Sequence, residues 1–464
     1  MINMNRATLR TALMACLVSL GLASCAVGPD YKKPEIDIPV QYKESGQWQA
    51  ARPMDDSPRG PWWTIFGDKE LDRLMKLLNR QNPSIAQAEA QYRQSQALLR
   101  QAEAGLLPSL SASAATTRGV LTPGAGVSTQ YTLDASASWE ADVWGGVRRT
   151  IEAGEAKQAA TAAQLAAIRL SIQTQLTTAY LQLVVTDQQL RQLQDSENTL
   201  QQTLILTRNQ YNAGVVSQAN IALAESQLKT AQAQRVQKQL SRTQLEHAIA
   251  ASLGLAPASF ALQPTQLVPH LPQIPAGLPS TLLERRPDIA AAERNMAQAN
   301  AQIGVATAAF FPNLTLSASG GYRGASFANW INAPNQIWSV GPQLALSLFD
   351  GGLRRAQTDQ AIAAYDASVA SYRQTVLAAL QAVEDNLSAQ SLLAQEAELQ
   401  QAALTAAVQA ETIVLNQYRA GTVGYLSVLS AQNTRILAEN TLWSVKSSQY
   451  SSSIALISAI GGTW

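Results

Sequence analysis

Apolar residues recur along this chain at two spacings. Leu165, Ile168, Ile172, Leu176, Ala179, Leu183, Leu190, Leu193, Leu200, Leu204 and Tyr211 fall three, four or seven residues apart. Val369, Tyr372, Val376, Ala379, Val383 and Leu387 repeat the rule. This is the stripe of an amphipathic helix with a coiled-coil-like seam. Gln, Thr and Arg occupy the opposite face, as expected where water is near. Proline is absent between Pro123 and Pro257, and again after Pro342, so nothing interrupts either helix. Thr150 to Tyr211 as one helix would reach roughly 90 Å, too long for a compact globule. Glycines then end each rod, at Gly214 and at Gly421 with Gly424. Returning helices are predicted over Ser217 to Leu253 and Leu426 to Ile460, which makes two antiparallel hairpins.

The second spacing is alternation. Tyr131, Leu133, Ala135, Ala137 and Trp139 are separated by Thr132, Asp134, Ser136 and Ser138. Leu314, Leu316 and Ala318 alternate with Thr315, Ser317 and Ser319, and Leu344, Leu346 and Leu348 form a further set. Strands are predicted at about 109–118, 129–140, 313–323 and 337–348, with outer loops at 119–128 and 324–336. A soluble sandwich and an outer-membrane barrel both alternate in this way. Four strands cannot close a barrel, and open edges are not tolerated in lipid. Two or three copies would supply eight or twelve strands, and a conduit favours three, because eight leave an interior filled by side chains.

The two patterns occur twice. Asn82-Pro83-Ser84-Ile85-Ala86 resembles Arg286-Pro287-Asp288-Ile289-Ala290, and Leu107-Pro108-Ser109-Leu110 resembles Phe311-Pro312-Asn313-Leu314. Gly145-Gly146-Val147-Arg148-Arg149 matches Gly351-Gly352-Leu353-Arg354-Arg355, and Tyr211-Asn212-Ala213-Gly214 matches Tyr418-Arg419-Ala420-Gly421. The order is the same in both halves, and each unit of about 200 residues reads helix, strand pair, long hairpin. The fold expected is mainly α with a membrane β-barrel. Its divisions are 1–24, 25–80, a first repeat over 81–260, a linker over 261–284 and a second repeat over 285–464.

Residues 1–24 read as a secretory signal, with Arg6 and Arg10 before the apolar run Ala12 to Leu22. Leu22-Ala23-Ser24-Cys25 fits a lipoprotein cleavage box, so a mature chain beginning at lipidated Cys25 is expected. Processing would remove Cys16, and no disulfide could then form within one chain. The formal net charge of +1 would become −1, which predicts no nucleic-acid partner. With His247 and His270 as the only histidines, no multi-histidine metal site is expected. No phosphate loop, nucleophile elbow or zinc pattern is present, so neither an enzyme nor a cofactor is expected beyond the acyl and diacylglycerol groups on Cys25.

Several motifs carry a resemblance across the mature chain. They are Cys25-Ala26-Val27-Gly28-Pro29-Asp30-Tyr31, Trp62-Trp63 with Phe66-Gly67-Asp68, and Leu282-Leu283-Glu284-Arg285-Arg286-Pro287-Asp288-Ile289 with Ala292-Glu293. They resemble the TolC-like outer membrane factor family, in its NodT-type efflux lipoprotein branch. The resemblance implies a homotrimer with a twelve-stranded barrel in the outer membrane and a periplasmic α-helical tunnel. It implies as partners a periplasmic adaptor (a membrane fusion protein) and an inner-membrane pump of the resistance-nodulation-division class. The alanine after Cys25 is similar to an outer-membrane sorting signal. Leu426 falls where the family places an apolar constriction ring, and Tyr418 and Asn220 where neighbouring hairpins are linked. Gly214, Val215, Gly421 and Thr422 resemble adaptor-docking tips. Relatives commonly carry aspartate at positions aligning with Ser427 or Ser430, so this mouth is expected to lack an acidic ring. The function implied is a passive exit duct for drugs or other small toxic molecules. Type I protein secretion and metal-ion efflux remain as alternatives, as does a pore-free coiled-coil lipoprotein. Met54, Met75 and Met296 form no cluster that would favour soft metals.

Overall fold

The computed structural model describes residues 26–34, 43, 60–120, 124, 126–265, 269–272, 274 and 285–462. Cys25, residues 1–24 and much of the expected extension and linker lie outside them. The helices are α1 (Lys69–Gln81), α2 (Pro83–Glu103), α3 (Gly146–Asn212), α4 (Gln218–Ser252), α5 (Pro287–Ala308), α6 (Leu353–Arg419) and α7 (Tyr425–Ala459). The strands are β1 (Ser109–Gly119), β2 (Ser128–Ala141), β3 (Asn313–Gly324) and β4 (Gln336–Ala345). Each half of the chain therefore contributes a helix, two strands and a long hairpin. Helices α3 and α6 each have 67 residues, about 100 Å of helix at the standard rise.

The chain packs as two compact units, and each draws on both halves of the duplication. One comprises residues 1–36, 90–163 and 291–374; the other comprises 37–89, 164–290 and 375–464. The first holds the sheet, an antiparallel ribbon in the order β1-β2-β3-β4. Strand β4 stops at Ala345, three residues short of the expected end at 348. Its partner β3 begins at Asn313 opposite Ala345, and the preceding Pro312 has no N–H to extend the ladder. Leu346 and Leu348 are consequently exposed outside the sheet.

Local chemistry sets the junctions. Asp142 accepts the Val147 and Arg148 backbone N–H groups at 2.9 Å each, and Arg148 Nε folds back on it at 3.1 Å. Asp350 does the same for Arg354, whose Nε lies 2.6 Å away. The Gly-Gly-x-Arg-Arg repeat is thus a strand-to-helix corner that satisfies free helix donors. In the same unit Arg149 holds the N-terminal segment through Val27 O at 3.1 Å and Asp30 at 2.8 Å. Tyr31 donates to Glu293 at 2.8 Å.

In the other unit, a 3₁₀ turn over Trp62–Phe66 ends at Gly67 with φ 66°, and Asp68 caps α1 by accepting from Glu70 and Leu71 N–H. Asp68 also accepts from Tyr180 at 2.8 Å. Arg286 reaches Asp288 and the Ala459 carbonyl at 3.0 Å. Both family motifs therefore act as clamps between chain segments. The helical seams follow the expected stripes: Leu176, Leu183, Leu193, Leu200 and Leu204 are buried, as are Tyr372, Val376, Ala379, Val383 and Leu387. Tyr211 departs from its stripe and is exposed, because it sits beside the turn where α3 ends.

Candidate functional site

The sheet presents two chemically distinct faces. On one, Ser111, Ser136, Ser319 and Ser339 stand in register across all four strands, with Ser109, Ser138, Ser317 and Gly341 in the adjacent row. Hydroxyls link the strands within a row, Ser111 to Ser136 at 2.8 Å and Ser319 to Ser339 at 2.9 Å. The opposite face carries Leu110, Ala137, Ala318 and Val340 in one row and Ala112, Ala135, Gly320 and Trp338 in another. Leu110, Trp338, Val340 and Leu344 are exposed there. A ribbon that is serine-rich on one side and openly apolar on the other fits between water and lipid. Gly321 opposes Asp134, where an added Cβ would fall 2.0 Å from Leu133 O; this close backbone approach requires glycine. Tyr131, Phe327 and Trp330 form an aromatic cluster near the β3–β4 connection, with centroids 5.5 to 6.4 Å apart. These aromatics are plain in the sequence, but nothing local signals that a loop returns two of them to β2.

The two hairpin turns lie in the other unit. Gly214 and Gly421 have φ of 73° and 74°, the left-handed conformation that favours glycine, and Val215 and Thr422 beside them are exposed. Tyr418 is 1% exposed, and its hydroxyl lies 3.1 Å from Thr207 Oγ1. Gln210 Nε2 donates to the Tyr418 carbonyl at 3.2 Å. These contacts join α6 to α3. Asn220, half-buried in the first turn of α4, donates its backbone N–H to Ser217 O at 3.0 Å. Leu426 is 66% exposed, and Ser427 and Ser430 are exposed with it.

The residue before Leu426 behaves in the opposite way. Tyr425 is buried against Tyr418, centroids 6.0 Å apart, in a core with Leu200, Leu204, Leu228 and Val428. Burial pushes the Tyr425 hydroxyl up to about 12, with Tyr418 adding to the shift. Sequence reasoning missed Tyr425, although its spacing of seven from Tyr418 and three from Val428 was available as a signal. Among the described residues, no group of three or more His, Cys, Asp or Glu could hold a metal ion. None of the described helices is long and apolar enough to cross a membrane.

A family model described as outer membrane efflux protein matches residues 74–255 and 278–462. The pyoverdine export outer membrane protein OpmQ of Pseudomonas aeruginosa is 30% identical over 97% of this chain and 96% of its own length. The toluene efflux pump outer membrane protein TtgC of Pseudomonas putida is 27% identical, over 98% of this chain and 96% of its own. Among solved structures, the outer-membrane channel OprN superposes with a TM-score of 0.88 at 29% identity, covering 95% of this chain and all of that one.

Proposed function

This chain belongs to the outer membrane efflux protein family, and we propose that three copies join their sheets into one barrel, through which small toxic organic molecules leave the cell. It is an outer-membrane efflux channel with the TolC-like arrangement of long helical hairpins and four strands, rather than an enzyme. The observation that carries the assembly is the sheet itself. It has a serine-rich face, an exposed apolar face and two unpaired edges, at β1 and β4. Joining edge to edge among three copies satisfies the backbone and makes twelve strands around a wet lumen. The cargo reading draws on relatives named for toluene efflux and pyoverdine export.

The remaining parts of the proposal follow the family. Cys25 carries the lipid anchor. Gly214, Val215, Gly421 and Thr422 dock on a periplasmic adaptor, which joins the duct to an inner-membrane resistance-nodulation-division pump. Leu426 forms the constriction, with Ser427 and Ser430 lining the mouth and Tyr418 and Asn220 holding neighbouring helices together. The exposure of Leu426 beside buried Tyr425 supports this division of labour, since it leaves the leucine available to a narrow axis.

Single-channel recording from the full-length protein in planar bilayers tests the duct. Discrete conductance is expected, and its absence from well-inserted trimers would refute the reading. Loss of the gene should raise susceptibility to exported compounds. At the mouth, hydroxyls should give little block by divalent cations, whereas Ser430→Asp should create block through a ring of carboxylates. Strong block in the unsubstituted channel would contradict the hydroxyl-lined mouth.

A further inference from the structure

The second hairpin buries a charge cluster that the export reading leaves unused. Glu411 on α6 is 6% exposed within a single chain, so assembly can only bury it further. It is the only charged residue of α6 between Glu398 and Arg419. Arg435 on α7 stands between two carboxylates, with Nε 2.6 Å from Glu411 Oε2 and Nη1 2.7 Å from Glu439 Oε1. Its Nη2 donates to Ser196 on α3 at 3.2 Å. Close by on α7, Gln432 donates its Nε2 to Thr203 of α3 at 3.1 Å. The cluster thus joins three helices from both hairpins.

Its charges do not balance. One guanidinium faces two carboxylates, which leaves one uncompensated negative charge when all three are ionised. Three buried oxygens also lack a donor: Glu411 Oε1, Glu439 Oε2 and Gln432 Oε1. An unpaired carboxylate away from water is strongly disfavoured. A single hydrogen removes the excess charge and reduces the number of oxygens without a partner, because a protonated carboxyl is neutral and can donate to a neighbouring acceptor. The charged groups acting on Glu411 are Arg435 and Glu439, both on α7. Helix α3 presents the hydroxyls of Ser196 and Thr203. The adjacent pair of Glu197 on α3 with Arg235 on α4, at 2.8 Å, neutralises itself.

We propose that Glu411 holds one exchangeable proton beside Arg435, and that this proton tightens the junction between the two hairpins. The inference depends on the fold alone and would survive a different cargo. Burial pushes the Glu411 carboxyl above the usual carboxylate range; Arg435 opposes the push, Glu439 adds to it, and Gln432 opposes it as a hydrogen-bond donor. The folded chain therefore holds the proton to higher pH than the unfolded chain. Its stabilising contribution is full below the ordinary glutamate range and is lost as pH rises through the folded value. Glu411 lies two turns from Tyr418, about 10 Å along α6, so the proton acts close to the contact that joins α6 to α3.

Infrared difference spectroscopy of the detergent-solubilised full-length protein, prepared with isotopically labelled glutamate, tests the proposal. A protonated glutamate carbonyl band should persist above the ordinary glutamate range, shift with the label, and vanish in both Glu411→Gln and Glu439→Gln. Glu411→Gln should match or exceed the parent Tm at neutral pH and lose at least half of the fall in Tm between about pH 5 and about pH 8. The proposal is overturned if the unsubstituted protein shows no such band, whether or not either variant folds. It is also overturned if the band survives both substitutions, or if Glu411→Gln lowers Tm at neutral pH and leaves its pH dependence unchanged.

Discussion

The first hairpin pairs α3 with α4, and the second pairs α6 with α7, in the same lengths of 67 and 35 residues. Their turns have the same left-handed glycine. The side chains diverge on this shared skeleton. The first hairpin is laced between its own helices by Arg208–Glu225, Arg235–Glu197 at 2.8 Å and Arg242–Asp187 at 2.6 Å. In the second, α7 buries Tyr425, Val428, Gln432 and Glu439 near its start and bonds to α3 of the first hairpin through Gln432 and Arg435. Duplication has kept the lengths and turns, which set how helices align over a long distance. It has left the side chains free to lace one hairpin with three internal ion pairs, and to make Arg435 of the other bind both its own partner helix and the neighbouring hairpin.

Substitutions can break or refine that contrast. The largest effect should come from Arg242→Met, which strips the buried Asp187 of its cation and should cost about 3–5 kcal/mol in chemical denaturation. Tyr425→Ala should cost about 3–4 kcal/mol by emptying the shared core. Tyr425→Phe should be close to neutral, because the hydroxyl has no partner to lose. Alanine at Gly214 or at Gly421 should cost about 1–2 kcal/mol each, since both require the left-handed conformation. Markedly unequal thermal shifts at these two positions would show that the skeletons are less alike than their lengths. Tyr418→Phe should cost about 1 kcal/mol and increase channel opening in bilayers, because it removes a contact between hairpins and little packing.

Much of the architecture was legible because its signals are local. A seam of leucines, an alternating run and a glycine after a long stripe each depend on neighbours a few residues away. The duplication then fixed the order of elements without any contact information. The candidate mouth rests on the family resemblance alone, as Leu426 and Ser430 carry no local mark that would single them out. The rest depends on distant pairings. Ser111 and Ser339 are unremarkable serines until the register aligns them. Glu411 reads as a solvated helical carboxylate until Arg435 and Ser196 close over it. Tyr425 and Leu426 are adjacent apolar residues, and only the packing of α7 on three other helices separates a core anchor from an exposed side chain.

The open edges of the sheet have a consequence for inheritance. A chain that cannot complete its own membrane wall must pool its fate with its siblings. In a cell making equal amounts of normal and edge-defective chains, random mixing into threes would leave only about one assembly in eight wholly normal. Defects at β1 or β4 that still permit co-assembly should therefore be dominant. Defects that stop a chain from folding before it meets its siblings should be recessive.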